Sequence, residues 1–160
     1  MAERKSGRVY FISIFLLMGL FPILSILIDA LKNSSPDLIL IIGKWFVFWA
    51  AGVRLLVAGL RQALQPSFTA ESIFKVKDPG AQDIVREVGF GNISIGIASV
   101  LSLEFQSWLA PCALIAGLYY GLAGLVHINR PERNAIEQTA LVSDLVMFVI
   151  LGGFFVIHVF

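Results

Sequence analysis

The run from Val9 to Ile28, VYFISIFLLMGLFPILSILI, holds 20 residues without a single charge. A bilayer core needs about 20 apolar residues per helix, so this run reads as a membrane span. Arg4, Lys5 and Arg8 precede it and lend it the look of a signal peptide. A cleavable core usually has only about 7 to 15 apolar residues, and no small-x-small site follows before Asp29, so an uncleaved first helix is expected. The rest of the chain has the same character. Of 160 residues, 14% are charged, where a soluble domain has about 25%. Counted with glycine and without tyrosine, the apolar share is roughly 65%, against about 45 to 50% in soluble domains. A soluble enzyme, a disordered segment and a disulfide scaffold are all excluded. Cys112 stands alone and forms no internal bridge.

Further apolar stretches place the spans at about 9–28, 38–60, 86–106, 110–128 and 139–159. The second starts at Asp37 or Leu38 and carries Lys44 and Arg54 inside it. Pro66 ends it, because proline lacks an N–H and disfavours helical geometry at Gln65. Phe68 to Phe74, FTAESIF, suits a short interfacial helix with a start signal at Thr69. Asp78-Pro79 then pairs a capping side chain with a proline at the first helical position, so the third helix starts there. Its strongly apolar part, Val88 to Leu103, reaches full length only with Phe105 and Trp108 added. Asn129-Arg130-Pro131 marks a break and restart before the fifth helix, expected to begin near Pro131. The fold expected is an all-α integral membrane bundle of five transmembrane helices, with a short interfacial helix between helices two and three. Four spans with a re-entrant hairpin at helices three and four is the alternative.

Lysines and arginines decide between them by the positive-inside rule. The N-terminal flank has three, the loop after helix two has four and the loop before helix five has two; the opposite flanks hold only Lys32. The N-terminus is therefore expected in the cytoplasm of an inner-membrane protein and the C-terminus outside. That requires an odd number of spans.

Ionisable groups inside hydrocarbon cost about 2.5 to 3.5 kcal/mol at the centre on insertion scales, so each needs a partner, a cavity or an escape route. On the derived orientation Arg54, Asn92, His127 and Asp144 all sit in the cytoplasmic leaflet. Helical spacing aligns Asn134, Glu137, Leu141, Asp144 and Phe148 on helix five, and Ala51, Arg54, Ala58, Arg61 and Gln65 on helix two. Gly89, Asn92, Gly96 and Ser99 form a stripe on helix three, and Gly117, Gly121, Gly124 and His127 one on helix four. Small-residue stripes let helices pack closely in lipid, and read as packing rather than cofactor binding. Turned inward, the stripes gather Arg54, Asn92, His127, Asn134, Glu137 and Asp144 into a buried polar cluster or ligand site. Two readings of Arg54 stand open: a pair with Asp144, or a side chain that snorkels to the surface. His127 and Glu137 equally suit a plain interfacial role. Lys44 and Glu104 are expected to meet the outer interface without a chemical role.

No phosphate loop, dinucleotide fingerprint, HExxH or paired cysteine occurs, so no catalytic motif, metal set or cofactor is expected. A net charge of +1 gives no general attraction for nucleic acid.

KWFVFWAAGVRLLVAGLRQALQPSFTAESIF (Lys44 to Phe74), REVGFGNISIG (Arg86 to Gly96), GLYYGLAGLVHI (Gly117 to Ile128) and the Ser143-Asp144 pair resemble an uncharacterised family of small prokaryotic membrane proteins. The helical layout more loosely resembles the DoxX-like group, some of whose members are tied to quinone-linked sulfur oxidation. The resemblance implies a small multi-pass protein without assigned activity. Three functions are open. One is binding of a lipid or small amphiphile at the cytoplasmic leaflet, in a pocket polar at Arg54 and Asp144 and walled by Phe90, Tyr119, Tyr120 and Phe148. The second is a quinone-linked redox or accessory subunit. The third is a structural subunit of a homo-oligomer or larger membrane complex.

Overall fold

The computed structural model describes residues 2–72, 75–130 and 132–160. Its described residues hold helices and turns and no strand. Five helices have the length and apolarity to cross a membrane. They are α1 (Gly7–Lys32, helical from Ala2), α2 (Leu38–Leu64), α4 (Pro79–Leu101), α5 (Leu109–Ile128, extended by a 3₁₀ turn over Gln106–Trp108) and α6 (Ala135–Val159). The short helix α3 (Pro66–Ser72) lies between α2 and α4. With α4 and the 106–128 stretch each 23 residues long, both have the length of a full span, which half of a re-entrant hairpin does not need.

The helix starts follow local chemistry. The Asp37 carboxylate accepts from Leu40 N at 3.0 Å, Asp78 from Gly80 N at 2.7 Å with Pro79 following, and Asn134 Oδ1 from Glu137 N at 2.8 Å. Each satisfies an N–H that the first helical turn leaves without a partner. Three sequence expectations shift. The interfacial helix begins at Pro66, three residues before Thr69, because proline's fixed φ suits a first helical position; Thr69 is buried instead of capping. Its expected end, Ile73 and Phe74, lies outside the described residues. The third span ends at Leu101 rather than near 106, since Ser102 Oγ turns back onto Ser99 O at 2.7 Å and Phe105 N closes onto Leu101 O. Pro131 also lies outside the described residues, and the fifth helix starts at Ala135 behind its Asn134 cap.

Two π-helical turns interrupt the long helices, at Leu16–Leu20 in α1 and Val47–Val53 in α2, and they pack against each other. Such a turn holds one residue more than an α-turn, which rotates everything after it by about 100° relative to an unbroken helix. It also releases backbone from the regular ladder: the Ala50 carbonyl accepts the Tyr120 hydroxyl at 2.6 Å in the core. Val47, Ala50 and Ala51 are fully buried there, making α2 the central helix. Helix α1 is peripheral, with 17% of its apolar window buried against 44% for α2.

Glycines set the spacing. A Cβ on Gly59 would lie 2.6 Å from Gly89 O, and one on Gly96 2.7 Å from Leu56 N, so α2 and α4 meet backbone to backbone. On α5, Gly117 faces Gly152 N and Leu151 of α6, while Gly121 and Gly124 receive the side chains of Phe148 and Leu145. The stripes on helices three and four therefore pack as the sequence implies. On α2 the packing face is Gly52 and Gly59, which the stripe through Ala51 and Arg54 does not contain.

Candidate functional site

At the bundle end that holds the start of α1 and both basic loops, Tyr10 and Ser13 of α1 face Arg54, Val57, Ala58, Arg61 and Gln62 of α2. Phe68 and Thr69 of α3 close the third side, and the recess so formed encloses about 90 Å³. Arg54 is the first residue after the π-turn, so the rotation that turn imposes sets its direction. The Arg54 Cζ lies 5.8 Å from the Tyr10 ring centroid, and its Nε is enclosed without a hydrogen-bond partner. Arg61, two turns nearer the helix end, stacks its guanidinium on Phe68 at 3.4 Å.

Arg54 feels the charge of Asp144, with Tyr10 and Tyr120 as its other electrostatic neighbours. Arg54 and Asp144 are not among the ion pairs within 4.0 Å, so their interaction runs through space rather than through contact. Asn92, 2% exposed, donates from Nδ2 to Gln62 Oε1 at 2.7 Å and keeps a buried Oδ1 without a partner. Tyr119 stands beside Asn92. Arg54, Asn92 and Asp144 thus belong to one polar layer, completed by Tyr10, Gln62, Tyr119 and Tyr120.

His127, Asn134 and Glu137 form a second layer. Glu137 and Asp144 are seven residues apart on α6, about 10 Å along the axis at 1.5 Å per residue. Glu137 is fully buried and ion-paired with Arg130, and His127 Nδ1 stands 3.9 Å from its Oε1. Arg133 Nη1 donates to the carbonyls of His127, Ile128 and Arg130 at 2.9, 3.1 and 2.9 Å. The first two are carbonyls of the last turn of α5, which a helix cannot satisfy internally, and the third belongs to the turn that follows. With Asn134 capping α6, this layer is the joint between α5 and α6. The six residues expected together therefore divide three and three between two levels.

A third polar group sits at the opposite end. Asp29 Oδ2 accepts from Lys44 Nζ, and from Trp45 Nε1 at 2.9 Å, while Asn33 Nδ2 reaches Oδ1 at 3.0 Å. Lys44, expected to be a bystander at the interface, instead fastens α2 to α1. Glu104 is exposed.

Of the expected aromatic walls, Tyr120 is buried in the core, whereas Phe90 is 54% exposed and Phe148, 43% exposed, lies against Gly121. Tyr10 and Gln62 went unremarked in the sequence. The available signal was a lone phenol at the basic end of the uncharged run 9–28, and a glutamine eight residues beyond Arg54.

These features define a multi-pass helical bundle with polar groups held at three levels. Within that class the chain belongs to the family of unknown function DUF6790, whose model matches residues 9–159. No curated protein and no solved structure matches it. The match accords with the resemblance to an uncharacterised family and brings no DoxX-like assignment with it.

Proposed function

We propose that this protein resides in the cell membrane with its N-terminus in the cytoplasm and binds a lipid or small amphiphile at the cytoplasmic leaflet. The observation that carries the reading is the recess between α1, α2 and α3. Its wall is polar at Tyr10, Ser13, Arg54, Arg61, Gln62 and Thr69, and it also includes Val57, an apolar residue that is 49% exposed. Ligand pockets for whole small molecules run to about 300 to 1,000 Å³, so a recess of about 90 Å³ accepts a head and leaves the tail on the apolar flank. Leu60 and Leu64, 45% and 77% exposed, extend that flank towards the interface.

Native mass spectrometry of gently extracted protein tests this. A retained lipid mass that falls in Ala58→Trp, where the indole fills the recess, supports the reading; a bare bundle refutes it in favour of a structural subunit. A quinone mass in place of lipid would move the assignment to a redox subunit, the activity linked to the looser DoxX-like layout.

A further inference from the structure

Resting on the amphiphile reading, we propose that the recess holds a phospholipid phosphate between Arg54 and Arg61 and favours an anionic lipid, because a zwitterionic head brings its own cation against two arginines with no carboxylate in the wall. The wall contains two arginines and no carboxylate. Among the described residues neither arginine has an ion-pair partner within 4.0 Å. This sets the recess apart from the other polar groups of the bundle, where Lys44 meets Asp29, Arg86 meets Asp83 and Arg130 meets Glu137. A cation held partly out of water without a contacting anion is costly, and a ligand oxyanion removes that cost.

The geometry fits a phosphate at the membrane surface. Arg54 and Arg61 are seven residues apart, nearly on one face of α2 and about 10 Å apart along its axis, which two extended side chains close around a common group. Arg61 lies in the last turn of α2, at headgroup level, and its stacking on Phe68 fixes the guanidinium plane. Planar guanidinium forks match phosphate oxygens bidentately. The Tyr10, Ser13 and Thr69 hydroxyls, with the Gln62 amide, supply further polar atoms to the same space. A recess of about 90 Å³ has room for a phosphate. Basic pockets between transmembrane helices on the cytoplasmic side bind acidic lipid heads by this chemistry.

The test uses the full chain in detergent, loaded separately with phosphatidylglycerol, phosphatidylcholine or inorganic phosphate. Native mass spectrometry counts bound lipid, and thermal unfolding reads protection. Retention of phosphatidylglycerol over phosphatidylcholine by about tenfold or more is expected, with the preference lost in Arg61→Gln and Arg54→Gln. Arg61→Gln is the decisive variant, because the side chain makes no hydrogen bond to the described residues and its loss leaves the core intact. Equal retention of the two lipids overturns the charge selection and leaves the amphiphile reading standing; retention of neither overturns both. Protection by inorganic phosphate equal to that by phosphatidylglycerol overturns the lipid as its source.

Discussion

The backbone-to-backbone contact between α2 and α4 gives a sharp test of the bundle's packing. Replacing Gly59 by alanine puts a Cβ 2.6 Å from Gly89 O and 2.7 Å from Ile93 N, both backbone atoms of α4 that cannot rotate away. Ordinary contact begins at 3.4 Å, so α2 and α4 must separate by about 0.8 Å along a face where Gly96 is equally tight against Leu56 N. Gly91, on the exposed side of α4, is the matched control, since nothing lies within 4 Å of its Cβ position. Alanine gains about 1 kcal/mol over glycine in a helix at either site, so the difference between the variants is the steric cost alone. Overpacking costs about 1 to 3 kcal/mol, and rigid backbone on both sides puts Gly59→Ala at about 3 kcal/mol. For a chain of this size that is about 6 to 12 °C between the two melting temperatures. Cys112 provides the assay: it is the only cysteine and 5% exposed, so a fluorogenic maleimide reacts as the bundle opens. Gly59→Ala melting at or above Gly91→Ala would refute the backbone contact.

Three further outcomes follow from named contacts. Arg130→Gln strands the fully buried Glu137 carboxylate and should cost about 3 kcal/mol, the low end for breaking a buried pair because Arg130 is 28% exposed; adding Glu137→Gln should restore part of it in the same melting assay. Tyr120→Phe leaves the Ala50 carbonyl without its donor, which should cost about 1 to 3 kcal/mol. Hydrogen exchange should then quicken over residues 50–55, and unchanged exchange there would separate the hydroxyl from the stability of the π-turn. In a Cys112→Ala background, Ser67→Cys should be labelled only from the cytoplasm and Phe160→Cys only from outside; a cytoplasmically labelled Phe160→Cys refutes the orientation.

What the sequence made legible was local. Asp37, Asp78 and Asn134 announce their helices because a cap needs only the residues of one turn. The glycine stripes of α4 and α5 were legible because those helices are regular from end to end, so a 3.6-residue period holds throughout. The same period misled on α2. Its π-turn shifts the register midway, so Ala51 enters the core while Arg54, Ala58 and Arg61 turn to the recess, and the packing role passes to Gly52 and Gly59. Nothing in the composition of Val47–Val53 signals that turn; it is held by tertiary contacts such as Tyr120 on Ala50. Tyr10 was equally hidden, since a phenol in an apolar run becomes polar machinery only when another helix brings an arginine to it.

The three polar levels also differ in how they balance their charges, and that difference separates structure from function. Asp29 and Glu137 each hold a basic side chain from elsewhere in the chain, Lys44 from the next helix and Arg130 from the turn ahead of α6. Glu137 Oε2 and His127 Nδ1 lack hydrogen-bond partners, yet the carboxylate's charge is already met by Arg130. Both levels would hold the bundle together with nothing bound. The two arginines of the recess do not close in this way: Arg54 has Asp144 only at a distance, and Arg61, two turns nearer the helix end, has an aromatic face rather than an anion. A buried charge without a contacting anion is costly, and a ligand oxyanion at Arg54 would lower that cost further than Asp144 does from a distance. Arg54 and Arg61 are therefore the two positions at which the proposed oxyanion would act, and their glutamine variants separate that role from packing.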